Sequence, residues 1–183
     1  LEFGENGWSR PMSWGRSLHR FEGEEAGGEG LPGGPPPAFK GEGDAADNIV
    51  GGPEHSTLAN DAFRSREFDF MLSNPPYGKS WKSDLERMGG KDGIKDPRFV
   101  IEHAGDPEYS LITRSSDGQM LFLANMLGKM KRGTKLGSRI AEVHNGSSLF
   151  TGDAGQGESN IRRWIIESDW LEAIVALPLN MFY

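Results

Sequence analysis

Apolar residues form short, separate blocks in the later part of the chain, and the spacing in each block predicts an element. Residues 68–72 are an apolar run with one Asp that ends at Ser73 and two prolines, which predicts a buried strand. From residue 117 to 130, apolar positions recur at the i, i+3, i+4, i+7 spacing of a helix. These positions are Met120, Leu123, Ala124 and Leu127, and Phe122 and the other methionines of this stretch are also expected in the core.

The blocks that follow continue an alternating pattern. Residues 139–144 predict a second strand, and residues 171–177 predict a third that ends at a proline. Between them, Ser159 or Asn160 is expected to cap a helix with Ile161, Trp164 and Ile165 on one face. The order strand, loop, helix, strand, helix, strand is typical of a doubly wound parallel α/β sheet. Because the chain stops just after a strand, we expect a partial sheet and a fragment truncated at both ends.

Two segments lack this periodicity. Residues 1–38 are rich in Gly, Glu and Pro and cannot bury enough apolar area to offset their ordering entropy, so a disordered or non-native leader is expected. A docking tail built on the aromatic residues of the leader is the alternative. Residues 39–183 are then expected to form a partial globular domain. Within it, residues 78–116 mix Gly, Pro and charge and predict a long functional or mobile loop.

Composition narrows the class of protein. The 183 residues carry a net charge of −7, and most of it lies in residues 1–60, which hold 10 acidic and 4 basic side chains. Because there is no strong basic patch, any affinity for nucleic acid is expected to be weak, local or supplied by a partner. The absence of cysteine excludes disulfides and agrees with a cytoplasmic protein. Neither a membrane span nor a signal peptide is expected, since no apolar run is long enough.

The candidate chemistry lies in Asn74-Pro75-Pro76-Tyr77, the tetrapeptide, which follows the first predicted strand at the edge where α/β sheets bind ligands. An exocyclic amine is a poor nucleophile because its lone pair is delocalised into the ring. Two acceptors on its N–H bonds would stabilise the positive charge that develops during methyl transfer. The side-chain oxygen of Asn74 and the carbonyl of Pro75 are expected to be these acceptors, because successive prolines fix the backbone. Tyr77 offers a flat face for a base flipped out of a duplex.

An ordinary turn sequence is the alternative interpretation of Asn-Pro-Pro. A chance match to four fixed residues is on the order of one in a thousand in a chain of this length. The apolar strand before the tetrapeptide is also the context that the mechanism requires. The pattern therefore favours an amino-group methyltransferase.

Longer segments extend this interpretation. FDFMLSNPPYGKSW resembles the catalytic motif of amino-methyltransferases. The modification subunit of type I restriction-modification systems is similar over residues 39–183, through KGEGDAADNI, DGQMLFLANMLGKMK and GSRIAEVHNGSSLFTGDAGQGESNIRRWIIESDWLEAIVALPLNMFY.

That resemblance implies the Rossmann-like fold of S-adenosylmethionine-dependent methyltransferases, with S-adenosylmethionine as methyl donor and adenine N6 in DNA as acceptor. It also implies assembly with a specificity subunit and a restriction subunit. Asn74, Pro75, Pro76 and Tyr77 match the catalytic tetrapeptide, with Tyr77 stacking on the flipped base. The glycine-rich cofactor loop of the family and its ribose-binding acidic residue have no counterpart upstream of the catalytic strand, so the cofactor-binding residues stay unassigned.

Other candidates have an ordinary interpretation beside the functional one. Residues 152–157 are expected to form a capping loop and not a phosphate-binding loop, although a contact with DNA or cofactor stays open. His144 is expected to make a structural hydrogen bond, and the histidines lack the spacing of a metal site. Tyr77, Lys79 and Lys82 are candidate DNA contacts. The last two belong to a loop in which acidic residues alternate with Lys79, Lys82, Arg87, Lys91, Lys95 and Arg98.

Three functions follow from these observations. The first is a subunit that methylates adenine N6 in DNA, which the long match after residue 117 favours. The second keeps the chemistry but acts on a protein glutamine or on RNA. The third is a non-catalytic fragment or assembly module.

Overall fold

A computed structural model describes residues 55–178, so the expected leader and the KGEGDAADNI segment lie outside the described residues. The elements follow one another as strands, short helices and one hairpin. In chain order they are β1 (Phe70–Ser73), α1 (Lys82–Arg87), β2 (Val100–His103), β3 (Asp106–Ser110), α2 (Gln119–Leu127), β4 (Arg139–Glu142), a 3₁₀ turn (Gly146–Leu149) and α3 (Gly157–Glu167). None of the helices in this part of the chain has the length and apolar character needed to cross a bilayer.

The strands form two separate pairs. β1 and β4 pair in parallel, with Ser73 opposite Glu142, and β2 and β3 form an antiparallel hairpin. The parallel pair and its helical connections agree with the predicted α/β class. Each sheet has two strands among residues 55–178, however, so the predicted doubly wound sheet is not formed there.

The prediction of one long loop over residues 78–116 is wrong, because this segment contains α1 and the hairpin. Elements of this length carry too little periodicity to be recognised. The hairpin turn is formed by Ala104 and Gly105, whose φ angles are 52° and 83°. Two positive φ angles are the signature of the tight type I′ turn that suits the twist of paired strands.

Three further expectations need correction. Residues 171–177 form no strand and are exposed, with Val175 at 74%, because no described strand runs beside them. β1 is only half-buried: Met71 is fully buried, whereas Leu72 on the other face is 51% exposed. Neither Ser159 nor Asn160 caps α3, which begins at Gly157. The Asn160 side chain instead donates to the carbonyl of Ser110 at 2.7 Å.

The core surrounds α2, which is buried along most of its length. Its first turn is stabilised by Asp117, whose Oδ1 accepts the backbone N–H of Gln119 at 3.1 Å. The predicted core positions Met120, Phe122 and Met126 are all buried. The other buried apolar side chains come from β1, β3, α2, α3 and the segments between elements, and the largest among them are Phe99, Leu58, Met71, Leu111, Leu121 and Ile161.

A buried ionic cluster joins the first described residues to the end of α2. Arg98 donates to Asp96 at 2.6 Å, to the carbonyl of Leu58 at 2.8 Å and to Asn125 Oδ1 at 2.9 Å. Lys129 contacts Asp61, and both side chains are almost fully buried. Arg98 is therefore a structural residue, and its prediction as part of a solvated or phosphate-binding loop is wrong.

Candidate active site

The tetrapeptide lies at the carboxyl edge of the parallel strand pair. β1 ends at Ser73, so Asn74 is the first residue beyond it, and the facing strand ends at Glu142. The backbone N–H of Val143 donates to the carbonyl of Ser73 at 3.0 Å, which extends the pairing by one residue. The two strand ends therefore open on the same side, where α/β proteins bind their ligands.

Within the tetrapeptide, Asn74 is exposed, Pro75 is buried, and Pro76 and Tyr77 are partly buried. The hydroxyl of Tyr77 donates to Asn74 Oδ1, and it lies 3.2 Å from the carbonyl oxygen of Val143. An amide oxygen carries two acceptor lone pairs. The contact with Tyr77 therefore orients the Asn74 side chain and leaves one acceptor position for a substrate.

The residue after the tetrapeptide is anchored on the start of α2. Gly78 N–H donates to Asp117 Oδ1 at 3.3 Å, and the other carboxylate oxygen of Asp117 accepts from Gln119 Nε2 at 3.0 Å. Trp81 is buried and donates its indole N–H to the carbonyl of Arg114 at 2.9 Å. Both ends of the tetrapeptide are therefore fixed to ordered parts of the fold.

A polar pair lies at the end of β4, next to the tetrapeptide. The Glu142 side chain is 3% exposed, and its carboxylate is 2.7 Å from His144 Nε2. Burial raises the pKa of Glu142, while the contact with His144 and the nearby Ser73 hydroxyl act in the opposite direction. His144 thus makes the structural contact that the sequence favoured. Glu142 was missed, although a glutamate flanked by Ala141 and Val143 in a predicted strand is the signal that reveals it.

The predicted DNA contacts Lys79 and Lys82 are both exposed. Lys82 lies 3.9 Å from Glu86, one turn later on α1. Lys79 is two residues beyond Tyr77, and its backbone carbonyl accepts from Gly118 at 3.2 Å. Their backbone is therefore ordered beside the tetrapeptide, and their contact with phosphates stays a prediction.

The glycine-rich segment at residues 152–157 has a packing role. A Cβ atom on Gly157 would lie 2.1 Å from the carbonyl oxygen of Ile112. The first turn of α3 is therefore packed closely against backbone of the same chain, and a contact of this loop with DNA or cofactor stays a prediction. The residues that bind S-adenosylmethionine stay unassigned among residues 55–178.

Metal binding finds no support in the described part of the chain, where no three His, Asp or Glu side chains are grouped to hold an ion. Nε2 of His103 lies 2.7 Å from a carboxylate oxygen of Glu167 on α3. This contact holds the hairpin against the helix.

Residues 44–183 match the family described as N-6 DNA Methylase. The chain therefore belongs to the N-6 DNA methylase family.

A more specific relative is the "Type I restriction enzyme MjaIX methylase subunit" of Methanocaldococcus jannaschii, which is 27% identical over 124 residues. The match covers 68% of this chain and 19% of the relative, so the chain spans about a fifth of the length of that protein. No solved structure matches. The family and this relative confirm the resemblance drawn from the quoted segments.

Proposed function

We propose that this chain supplies the base-binding half of the active site of an adenine-N6 DNA methyltransferase in a type I restriction-modification system. The position of the tetrapeptide at the carboxyl edge of β1 and β4, with Asn74 oriented by Tyr77, carries this proposal. Membership of the N-6 DNA methylase family supports DNA as the substrate. The MjaIX methylase subunit supports the type I assignment.

The chemistry proposed for this edge is recognition and activation of an amine. Asn74 Oδ1 accepts one N–H of the flipped adenine on its second lone pair, and the carbonyl of Pro75 accepts the other. These acceptors favour a pyramidal nitrogen and stabilise its positive charge as the new bond forms. The proton leaves the nitrogen after the transfer, so no strong general base is required. The methyl group is that of S-adenosylmethionine, whose binding residues are not assigned.

Contacts with DNA are proposed for the same edge. The Tyr77 ring stacks on the flipped base, and Lys79 and Lys82 contact nearby phosphates. A chain with a net charge of −7 gains little general affinity for DNA from electrostatics. We therefore propose that a specificity subunit supplies most of the binding and the choice of sequence, and that a restriction subunit completes the complex. Such an enzyme works on cytoplasmic DNA.

Transfer of a labelled methyl group from S-adenosylmethionine to duplex DNA tests this function. Asn74→Ala removes one of the two acceptors, so we expect a loss of about 10²–10³ in kcat, as for other single preorganised groups. Asn60→Ala is the matched control, since Asn60 is exposed and contacts Arg64 at 3.2 Å, outside the tetrapeptide. Equal activity of Asn74→Ala and the wild type would contradict the proposed role.

Parallel reactions with a glutamine-bearing protein and with RNA address the alternative substrates. Transfer to either of them, with none to DNA, would overturn the assignment of DNA. A chain that binds a specificity subunit without binding S-adenosylmethionine would instead be an assembly module.

A further inference from the structure

Glu142 is an unexpected residue for its position. It ends β4, its side chain is 3% exposed, and one of its carboxylate oxygens has no hydrogen-bond partner among residues 55–178. Burying a carboxylate in this way is costly, and a β-branched apolar residue is better suited to a half-buried strand. The contact with His144 offsets only part of this cost.

The contacts of Glu142 suggest a reason. Side chains two residues apart on an extended chain point to the same side, and Glu142 contacts His144 there at 2.7 Å. The residue between them is Val143. Its N–H donates to the carbonyl of Ser73 at 3.0 Å, and its own carbonyl lies 3.2 Å from the Tyr77 hydroxyl. The Glu142–His144 pair therefore restrains the peptide group whose carbonyl contacts the Tyr77 hydroxyl.

A second set of contacts fixes the pair itself. Gln119 Oε1 accepts the backbone N–H of Asn145 at 3.1 Å and lies 3.4 Å from His144 Nδ1. Gln119 is buried in the first turn of α2, where Asp117 holds its side-chain amide. The ring of His144 is thus held between a strand and a rigid helix, which is how precise sites are supported.

We propose that Glu142 and His144 are positioning residues for methyl transfer. They hold the Val143 carbonyl in place, and this carbonyl shares the single hydroxyl proton of Tyr77 with Asn74 Oδ1, which directs the Asn74 oxygen towards the substrate amine. Neither residue touches the substrate. The inference rests on the proposed function, because only that function gives the orientation of Asn74 a catalytic purpose.

The substitution Glu142→Val separates positioning from stability. Valine removes a carboxylate whose burial is costly but also leaves His144 Nε2 without that acceptor, so the free energy of unfolding should change by no more than about 1–3 kcal/mol and is measured beside kcat. Loss of the Val143 restraint should nevertheless lower kcat roughly ten- to a hundredfold, as small misplacements do, with an unchanged KM for DNA. Glu142→Gln keeps an acceptor for His144 and should recover kcat to within a few-fold.

Two comparisons make this test specific. Glu102→Val is the matched control, a Glu-to-Val change at an exposed position of β2, and it should leave kcat unaltered. Tyr77→Phe removes the hydroxyl through which the effect is proposed to pass. In that background Glu142→Val should add no further loss, because the two changes interrupt one route. If the losses of kcat caused by the two substitutions multiplied, the proposed route through the Tyr77 hydroxyl would be overturned.

The outcomes for the inference and for the proposed function are distinct. If the wild type methylates DNA and Glu142→Val does so at the same kcat, the positioning role is overturned while the function stands. If the wild type transfers no methyl group, the proposed function fails for this chain. Positioning is then decided by ¹⁹F NMR of the chain labelled with 3-fluorotyrosine, in which Tyr77→Phe identifies the Tyr77 signal. That signal should shift in Glu142→Val and not in Glu102→Val, and an unmoved signal would overturn the inference.

Discussion

Replacement of Gly157 by alanine tests a close backbone contact between α3 and the rest of the described fold. The added Cβ would lie 2.1 Å from the carbonyl oxygen of Ile112 and 2.6 Å from the backbone nitrogen of Thr113. Ordinary contact begins at 3.4 Å. The neighbouring atoms are all backbone and cannot rotate away. The start of α3 must therefore move by roughly 1 Å in a densely packed interior.

The cost of this movement can be worked out from the contacts of the first turn. Asn160 donates to the carbonyl of Ser110 at 2.7 Å, and Glu158 accepts from the backbone of Arg114 at 3.2 Å. Each hydrogen bond contributes about 0.5–1.5 kcal/mol, and overpacking costs about 1–3 kcal/mol. Alanine regains at most about 1 kcal/mol of helix propensity. We expect Gly157→Ala to lower the free energy of unfolding by roughly 1–5 kcal/mol.

Urea unfolding followed by tryptophan fluorescence measures this loss, since Trp164 is buried on the same helix. Gly146→Ala is the matched control. Gly146 is in the 3₁₀ turn, and nothing lies within 4 Å of its added Cβ, so a change within about 0.5 kcal/mol is expected. If the two variants unfolded with the same free energy, close packing at Gly157 would not stabilise α3 and the reasoning would be refuted.

Two further predictions concern the buried ionic cluster, and urea unfolding measures both. Asp61→Asn removes the negative charge beside the buried Lys129 ammonium and should lower the free energy of unfolding by about 3–5 kcal/mol. Much of this loss should be recovered when Lys129→Met is added. Two independent losses that simply add would contradict this prediction. Burial raises the pKa of Asp96, whereas its hydrogen bonds with Arg98 and the charge of Arg98 lower it. The lowering effects together are larger, so the pKa of Asp96 in the folded protein lies below its ordinary value of 3.8. Asp96 therefore contributes stability above pH 3.8 that is lost as the pH falls through its folded pKa, and Asp96→Asn should flatten this acid dependence; an unchanged slope would count against it.

Elements with strong local signals could be predicted from the sequence. α2 has an apolar residue on nearly every turn and an aspartate near its start. The structure confirms the helix and the burial of Met120, Phe122, Ala124, Met126 and Leu127, whereas Leu123 and Met130 are only partly buried. β1 and β4 are bounded by prolines and by a polar turn, and their parallel pairing follows from the helix between them. The position of the tetrapeptide beyond β1 was inferred from the same prolines.

Features that depend on distant contacts were missed. Arg98 belongs to a charged segment in the sequence, and only its approach to Leu58 and Asn125 makes it a buried residue. Residues 171–177 have the composition of a strand, but a strand also requires a neighbour to pair with. Glu142 has no periodicity of its own, and its role depends on His144 and on the opposite strand.

The contact between Tyr77 and Val143 has a consequence for synthesis of the chain. The two residues are 66 positions apart, so at a translation rate of 5–20 residues per second the ribosome makes the partner roughly 3–13 s after the tyrosine. Until then the nascent chain has the complete tetrapeptide but lacks the carbonyl that fixes it. Long-range closures of this kind form slowly. The contact that fixes Tyr77 can therefore form only after the hairpin and α2 have been translated.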